Sequence, residues 1–363
     1  MVTRTQLSYL DWGLIILLIV NSMIGVAAIY SSSSHLVGDY PIKQIMWLLI
    51  GLGAIFILIS FDYHILVTYS PYLYIVCIIL LISTQVFGHL SGGAKSWIKL
   101  PFFQIQASEI TKIALILFLS KIFSEFKGRL INLPTGLTSL VVISIPFIIV
   151  AVQPDLGTAA SYLFIFSGAV LLAGVNKKIL VFILIIAIVF GFLGWSFFLK
   201  DYQRARVKTL LFPKEDPLGV GYHIIQSKIA IGSGGLLGKG YLRGTQSQLR
   251  FLPARHTDFI FSVIGEEFGF MGVMVVLVFY FFFLARIFKS VGKARDRAGV
   301  YIIFMVAVML SFQFLINVLM TIGLFPIAGV PLPFISYGGS SLLTNSLAVG
   351  LVLNIKMRRF VNL

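Results

Sequence analysis

Charge is scarce in this chain. Of its 363 residues 11% are Asp, Glu, Lys or Arg and 58% are hydrophobic, at a mean hydropathy of +1.00. That is too little polar surface to coat a water-soluble globule, so the composition is that of an integral membrane protein. Acidic residues are scarcer than basic ones, 13 against 28, for a net charge of +15. The basic residues flank apolar runs, which points to anionic lipid headgroups and away from nucleic acid. Cysteine is nearly absent: Cys77 stands alone in an apolar run, which excludes an intrachain disulfide and reads as a packing residue. The five histidines, at 35, 64, 89, 223 and 256, fall at no i, i+3 or i, i+4 spacing, which argues against a histidine-built metal site. A G-x-S-x-G nucleophile elbow is missing, as is any internal repeat of about 20 to 50 residues. The inverted repeats of many secondary transporters are not visible either. No cleavable signal stands apart from the first span, because 12–30 is long enough to cross a bilayer and lacks a small-residue cleavage pattern.

What the chain does contain is long apolar runs. They predict ten spans, at 12–30, 43–60, 71–87, 108–123, 137–153, 156–175, 179–199, 259–285, 300–322 and 340–355. With a cytoplasmic N-terminus, the short inner connections collect Arg4, Lys121, Lys127, Arg129, Lys177, Lys178, Arg286, Lys289, Lys293, Arg295, Arg297, Lys356, Arg358 and Arg359. The short outer ones hold only Lys43, Lys95 and Lys99. This asymmetry predicts an all-α integral membrane protein of about ten transmembrane helices with both termini cytoplasmic. Residues 1–363 are expected to form a single polytopic membrane domain. A long extracytoplasmic loop, 200–258, would join the seventh and eighth spans and carry interfacial helices. That loop is cationic, and long loops translocate largely regardless of charge. Ile224, Ile225, Ile229 and Ile231 recur near helical spacing, as a short amphipathic helix would.

Several constellations could carry chemistry. Gly232–Gly240 superficially resembles a phosphate-cradling loop, but Ser233 and Gly240 stand where that motif needs Gly and Ser/Thr. It reads as a hinge or as a backbone-amide nest for a lipid diphosphate. Glu109 and Lys112 lie one helical turn apart inside an apolar span, as a self-neutralising pair or as the lining of a polar cavity. Asp155 sits at a tight turn between two spans, as a helix cap or a functional carboxylate. Asp258, preceded by Arg255 and His256, marks the seam between the cationic loop and the eighth span. Capping and chemistry are both open to it. Glu266 and Glu267 follow inside that span, where polar contact with neighbouring helices accounts for them. The stretch from Pro326 to Ser341 cannot be regular helix, and irregular backbone at membrane depth belongs against protein or a wet cavity.

These motifs, taken in order, resemble one family. Gln106-Ala-Ser-Glu-Ile-Thr-Lys112, Gln153-Pro-Asp-Leu-Gly-Thr158, Gly221-Tyr-His-Ile-Ile-Gln-Ser227, Gly244-Thr-Gln-Ser247, Phe251-Leu-Pro to His256-Thr-Asp-Phe259, and Pro333 to Ser341 are similar to those of the SEDS family (shape, elongation, division and sporulation) over nearly the whole chain. Gly244–Ser247 and Arg255 resemble the rod-shape branch more than the division branch. The resemblance implies a bacterial cell-membrane glycosyltransferase that polymerises lipid II, an undecaprenyl-diphosphate-linked disaccharide-pentapeptide, into glycan strands. It implies Asp258 as the general base, and Glu109, Lys112 and Asp155 as a polar cavity facing the active site. Gln203 and Arg206 match loop positions that affect function, and Arg255 and His256 accompany Asp258. Lys112, Arg206 or a divalent cation, Mg or Mn, would hold the departing diphosphate. The implied partners are a class B penicillin-binding protein transpeptidase and other elongation-complex membrane proteins. A lipid II flippase, or a scaffold that recruits a transpeptidase, is the rival reading.

Overall fold

The computed structural model describes residues 9–34, 38–91, 94–99, 104–126, 131–174, 204, 209–210 and 219–358. Nine of the ten expected spans coincide with described helices, and the seventh, 179–199, lies outside the described residues. The helices are α1 (Trp12–Ser33), α2 (Tyr40–Ser60), the short α3 (Tyr63–Thr68), α4 (Ser70–Phe87), α5 (Ala107–Glu125), α6 (Leu133–Val152) and α7 (Leu156–Ala173). After the partly described loop come α8 (Val220–Ser233), α9 (Thr245–Gln248), α10 (Ile260–Val291), α11 (Arg297–Thr321) and α12 (Gly339–Arg358). Seven of them are long and apolar enough to cross a membrane by length and composition.

Their starts follow ordinary capping chemistry. The side chains of Asp11, Asn132, Asp155 and Asp296 accept first-turn amides of α1, α6, α7 and α11. Prolines stand in the first turns of α2, α4 and α6, where no intrahelical partner is lost.

Position in the bundle follows polarity. Helices α2, α4 and α6 expose Leu49, Ile57, Ile79, Val86 and Ile148, a surface suited to lipid tails. Helix α12 instead buries Ser340, Ser341, Thr344, Asn345, Ser346 and Asn354, and packs along α2. There Gly51 admits Ser346, since a Cβ on Gly51 would stand 2.5 Å from its Oγ. Small residues of this kind let membrane helices approach closely. Helix α5 is buried along most of its length, packed by α3, α4, α6, α7, α11 and α12. That is where an intramembrane charge can be kept.

Two features depart from plain helical spans. Between α4 and α5 lies a small antiparallel sheet, β1 (His89–Ser91), β2 (Ala94–Lys99) and β3 (Gln104–Gln106), with Trp97 opposite His89 on one side and Gln106 on the other. The hydropathy pattern gave no sign of it. The second feature is a break in α10 at Gly269, whose φ of 64° and ψ of −160° end one helix and begin another. Glycine alone adopts this conformation freely.

The Gly-rich stretch after α8 docks on the break. Lys239 N and Gly240 N donate to the carbonyls of Glu266 and Glu267, at 3.0 and 2.9 Å. Phe270 N and Met271 N donate back to Gly235 and Leu236, at 2.9 and 3.1 Å. Backbone approach is so close that a Cβ on Gly234 would stand 2.0 Å from Gly265 O. The stretch is therefore a docked turn. Its amides face the helix and do not form an open nest.

Candidate active site

Asp258 lies in a tight turn just before α10. Thr257 N and Phe259 N both donate to Ala254 O, at 3.1 and 3.3 Å, and Ala254 adopts a left-handed φ of 47°. Buried Leu252, Phe259 and Val263, packed with Ile327, anchor the turn in an apolar cluster.

The irregular stretch 326–341 grips the turn from the other side. Ser336 Oγ donates to Thr257 O at 2.6 Å, and Tyr337 N to His256 O at 2.9 Å. Asn317, buried in α11, donates Nδ2 to Asp258 O at 3.0 Å and to Val330 O at 2.8 Å. Gln44 of α2 donates to Ser336 O at 3.1 Å. A Cβ on Gly329 would stand 4.0 Å from Asp258 Oδ2, so this stretch forms a wall beside the carboxylate.

Arg255 and His256, upstream of Asp258, are structural neighbours of different kinds. Arg255 is buried, and its Nη1 donates to Ser247 O at 2.5 Å, tying the turn to α9. The His256 ring lies against Tyr40 at 4.8 Å and Tyr337 at 5.9 Å between ring centres. Burial first, and the Arg255 charge second, push its imidazole below the usual histidine range, so it is neutral at pH 7.

A second polar group gathers where α5 and α7 begin. Lys112 Nζ meets Glu109 Oε1 at 2.5 Å, with both side chains at most 3% exposed. Asp155 accepts Gln106 Nε2 at 2.9 Å, Thr158 N at 3.1 Å and Thr158 Oγ1 at 2.9 Å. Burial raises its carboxyl above the usual range, against the pull of the Thr158 bonds and of Lys112. Cap and functional carboxylate are thus compatible at Asp155. The cluster is joined to α12 through Ser340, whose Oγ accepts Gln106 N and donates to Gln104 O, both at 3.1 Å.

The two groups share one wall. Gly157, two residues after Asp155, presses on the same stretch that faces Asp258: a Cβ there would stand 2.2 Å from Ala328 O. Asp155, through Gly157 and Gln106, and the turn that carries His256 and Asp258 thus meet the same stretch 326–341, while Glu109 and Lys112 pair within α5 and Arg255 is tied to α9. Gln203 and Arg206 lie outside the described residues.

Glu266 is a buried carboxylate whose structural role the hydropathy pattern hid. Fully buried in α10, it accepts Gln246 N at 2.7 Å, Ser247 N at 3.0 Å and Lys239 Nζ at 2.8 Å. It thereby fixes α9, which Arg255 in turn grips. Its neighbour Glu267 accepts Ser31 Oγ of α1. Polar contact is indeed what these two carboxylates make, but chiefly with the loop. Among the described residues no three His, Cys, Asp or Glu come together as a metal site.

The family described as cell cycle protein FtsW/RodA/SpoVE matches residues 10–360. The peptidoglycan glycosyltransferase MrdB of Escherichia coli is 39% identical over 353 residues, covering 97% of this chain and 94% of its own. The peptidoglycan glycosyltransferase RodA of Treponema pallidum is 34% identical, covering 96% of this chain and 98% of its own. Among solved structures, a chain from a peptidoglycan synthase complex that coordinates polymerization and crosslinking superposes with a TM-score of 0.83 at 32% identity, covering 97% of this chain and 98% of that one. The rod shape determining protein RodA of Thermus thermophilus gives 0.73 at 27%, with the same coverage. The protein is a multi-pass component of the bacterial inner membrane that acts in cell elongation or division. The chain belongs to the FtsW/RodA/SpoVE (SEDS) family of peptidoglycan glycosyltransferases.

Proposed function

We propose that the protein polymerises lipid II at the extracytoplasmic face during elongation and rod-shape maintenance, with Asp258 as general base. The chain is a single polytopic domain of ten spans with both termini cytoplasmic, and 200–258 is its outer loop. The observation that carries the reading is the placement of Asp258: at the end of a span, in a turn held from three sides, beside the wall formed by 326–341.

In this reaction the Asp258 carboxylate takes the proton of the acceptor sugar hydroxyl as its oxygen bonds to the anomeric carbon of the donor. The bond from that carbon to the diphosphate breaks, and the diphosphate leaves with the electron pair. One displacement inverts the anomeric centre. A diphosphate is a good leaving group, so no second carboxylic acid is needed to protonate it, unlike in a glycosidase. Cations of the outer loop, Arg206 among them, neutralise it.

Glu109, Lys112 and Asp155 support the wall. Lys112 is buried and turned to Glu109, so it neutralises that carboxylate and does not reach out to a diphosphate. The partner in this reading is a transpeptidase of the single-span class B penicillin-binding type; likeness to a chain from a complex that coordinates polymerization and crosslinking supports a crosslinking partner.

The test is polymerisation by purified protein supplied with lipid II and such a partner. Asp258→Ala and Asp258→Asn should make no glycan strands while binding lipid II as the native protein does. Polymer from either variant would end the assignment of the base. Movement of labelled lipid II across proteoliposomes without polymerisation would favour the flippase reading.

A further inference from the structure

Three aromatic rings meet beside the Asp258 turn. Tyr40, the first residue of α2, stands 4.8 Å from the His256 ring at an interplanar angle of 46°, and 5.1 Å from Tyr337 at 85°. His256 and Tyr337 close the triangle at 5.9 Å and 54°. One ring comes from α2, one from the turn and one from the wall.

The backbone that carries them is held from behind. Tyr337 N donates to His256 O at 2.9 Å. Gln44, one turn after Tyr40 on α2, donates Nε2 to Ser336 O at 3.1 Å and accepts Gly338 N at 3.5 Å, and so brackets Tyr337 on both sides. Further along α2, Trp47 packs on Gly339, where a Cβ would stand 2.1 Å from Trp47 Cε2. Gln44 is fully buried, whereas Tyr40, His256, Tyr337 and Asp258 are half-buried. The support is thus enclosed, while the rings and the carboxylate each keep part of their surface exposed.

An uncharged polar ligand matches these rings. A tyrosine at the end of a span is commonly an anchor among lipid headgroups, but Tyr40 is turned against His256 and Tyr337. In a chain with 33 Phe and 14 Tyr, both of these rings are Tyr, which joins an apolar face to a polar tip. His256, neutral at pH 7, adds a third polar ring. The triangle carries no charge, so it does not suit a diphosphate. A pyranose ring does fit: its C–H bonds present the positive edge that an aromatic face attracts, and its hydroxyls meet phenol and imidazole. His256 and Asp258 are two residues apart, so their Cα atoms lie within about 7 Å. A sugar held at His256 is then within reach of the carboxylate.

We propose that Tyr40, His256 and Tyr337 form a saccharide subsite, which holds a sugar of lipid II against the ring faces and aligns it with Asp258. This rests on lipid II being the substrate.

Affinity of the purified full chain for lipid II, for lipid II without its pentapeptide and for undecaprenyl diphosphate, read before turnover, tests it. The native protein should bind both sugar-bearing lipids more tightly than undecaprenyl diphosphate. Tyr40→Leu and Tyr337→Leu should each weaken both sugar-bearing lipids about fivefold, the size of one aromatic contact, and leave undecaprenyl diphosphate unchanged. Tyr40→Phe and Tyr337→Phe keep the ring face and should retain most of the affinity. Equal affinity of the native protein for all three lipids overturns the proposal without any variant. So does a Leu variant that binds all three as the native protein does, or one that loses all three equally, since the rings would then serve the fold alone. A loss confined to intact lipid II would make the triangle a peptide site and also overturns it. Polymer made by Asp258→Asn ends the base assignment but leaves this affinity pattern to be read. Failure of the native protein to bind lipid II sinks both.

Discussion

The side-chain amide of Asn317 holds the main-chain carbonyl of Asp258 at 3.0 Å and that of Val330 at 2.8 Å, so one buried residue of α11 sets the turn against its wall. Replacing it with Leu would leave two carbonyls without this donor, at a cost of about 1–3 kcal/mol. Asn317→Leu should fold with a lower melting temperature and lose most polymerisation, while its affinity for lipid II changes little. Full activity at native stability would show that the turn holds its shape without the clip.

Glu266 should behave as a strut of the outer loop. Glu266→Ala removes the acceptor for Gln246 N, Ser247 N and Lys239 Nζ, at about 3–5 kcal/mol for a buried ionic group losing its partner. Hydrogen exchange should then speed up at 244–248 before it does in α11. Glu266→Gln, which keeps an acceptor oxygen, should fall between the native protein and Ala.

The Glu109–Lys112 pair lends itself to a double-mutant cycle. Glu109→Gln and Lys112→Met alone each leave a charge buried without its partner, and each should destabilise by about 3–5 kcal/mol. The double variant should be milder than either single change. Additive losses in thermal unfolding would mean that the two side chains are not coupled.

His256 predicts a pH dependence with a definite sign. Its folded-state pKa is depressed by burial and by Arg255. Its contribution is therefore present above the unfolded value of about 6.5 and is lost as pH falls through the folded value. Apparent melting temperature should drop on acidification below about pH 6.5, and His256→Gln should flatten that segment of the curve. A slope unchanged by the substitution would assign it to another group.

Nine of the ten expected spans were legible as helices because an apolar run of sufficient length has few alternatives to a membrane helix, and the start of α12 was legible from its Ser and Gly. Asp258, Glu109, Lys112 and Asp155 stood out because charge is so rare here. What could not be read were relationships between distant residues. Asn317 is one polar residue in a long apolar run, and nothing local says that it faces Asp258. The sheet at 89–106 is three short strands whose pairing is not local. The break at Gly269 hides because glycine is ordinary in membrane helices. Two adjacent carboxylates followed by Phe268 and Gly269 were its one visible sign, since Glu266 receives the amides that the docked loop brings.

The loop that crosses the Gly269 break is bonded to α10 above it, through Lys239 and Gly240, and below it, through Phe270 and Met271. It acts as a splint across a cut rod. The corner can neither straighten nor fold further without tearing bonds on one side. Load applied to the loop between α8 and α9 is therefore delivered to the upper piece of α10, and with it to the turn that carries Asp258. A protein that grips this loop has a handle on the Asp258 turn without touching it.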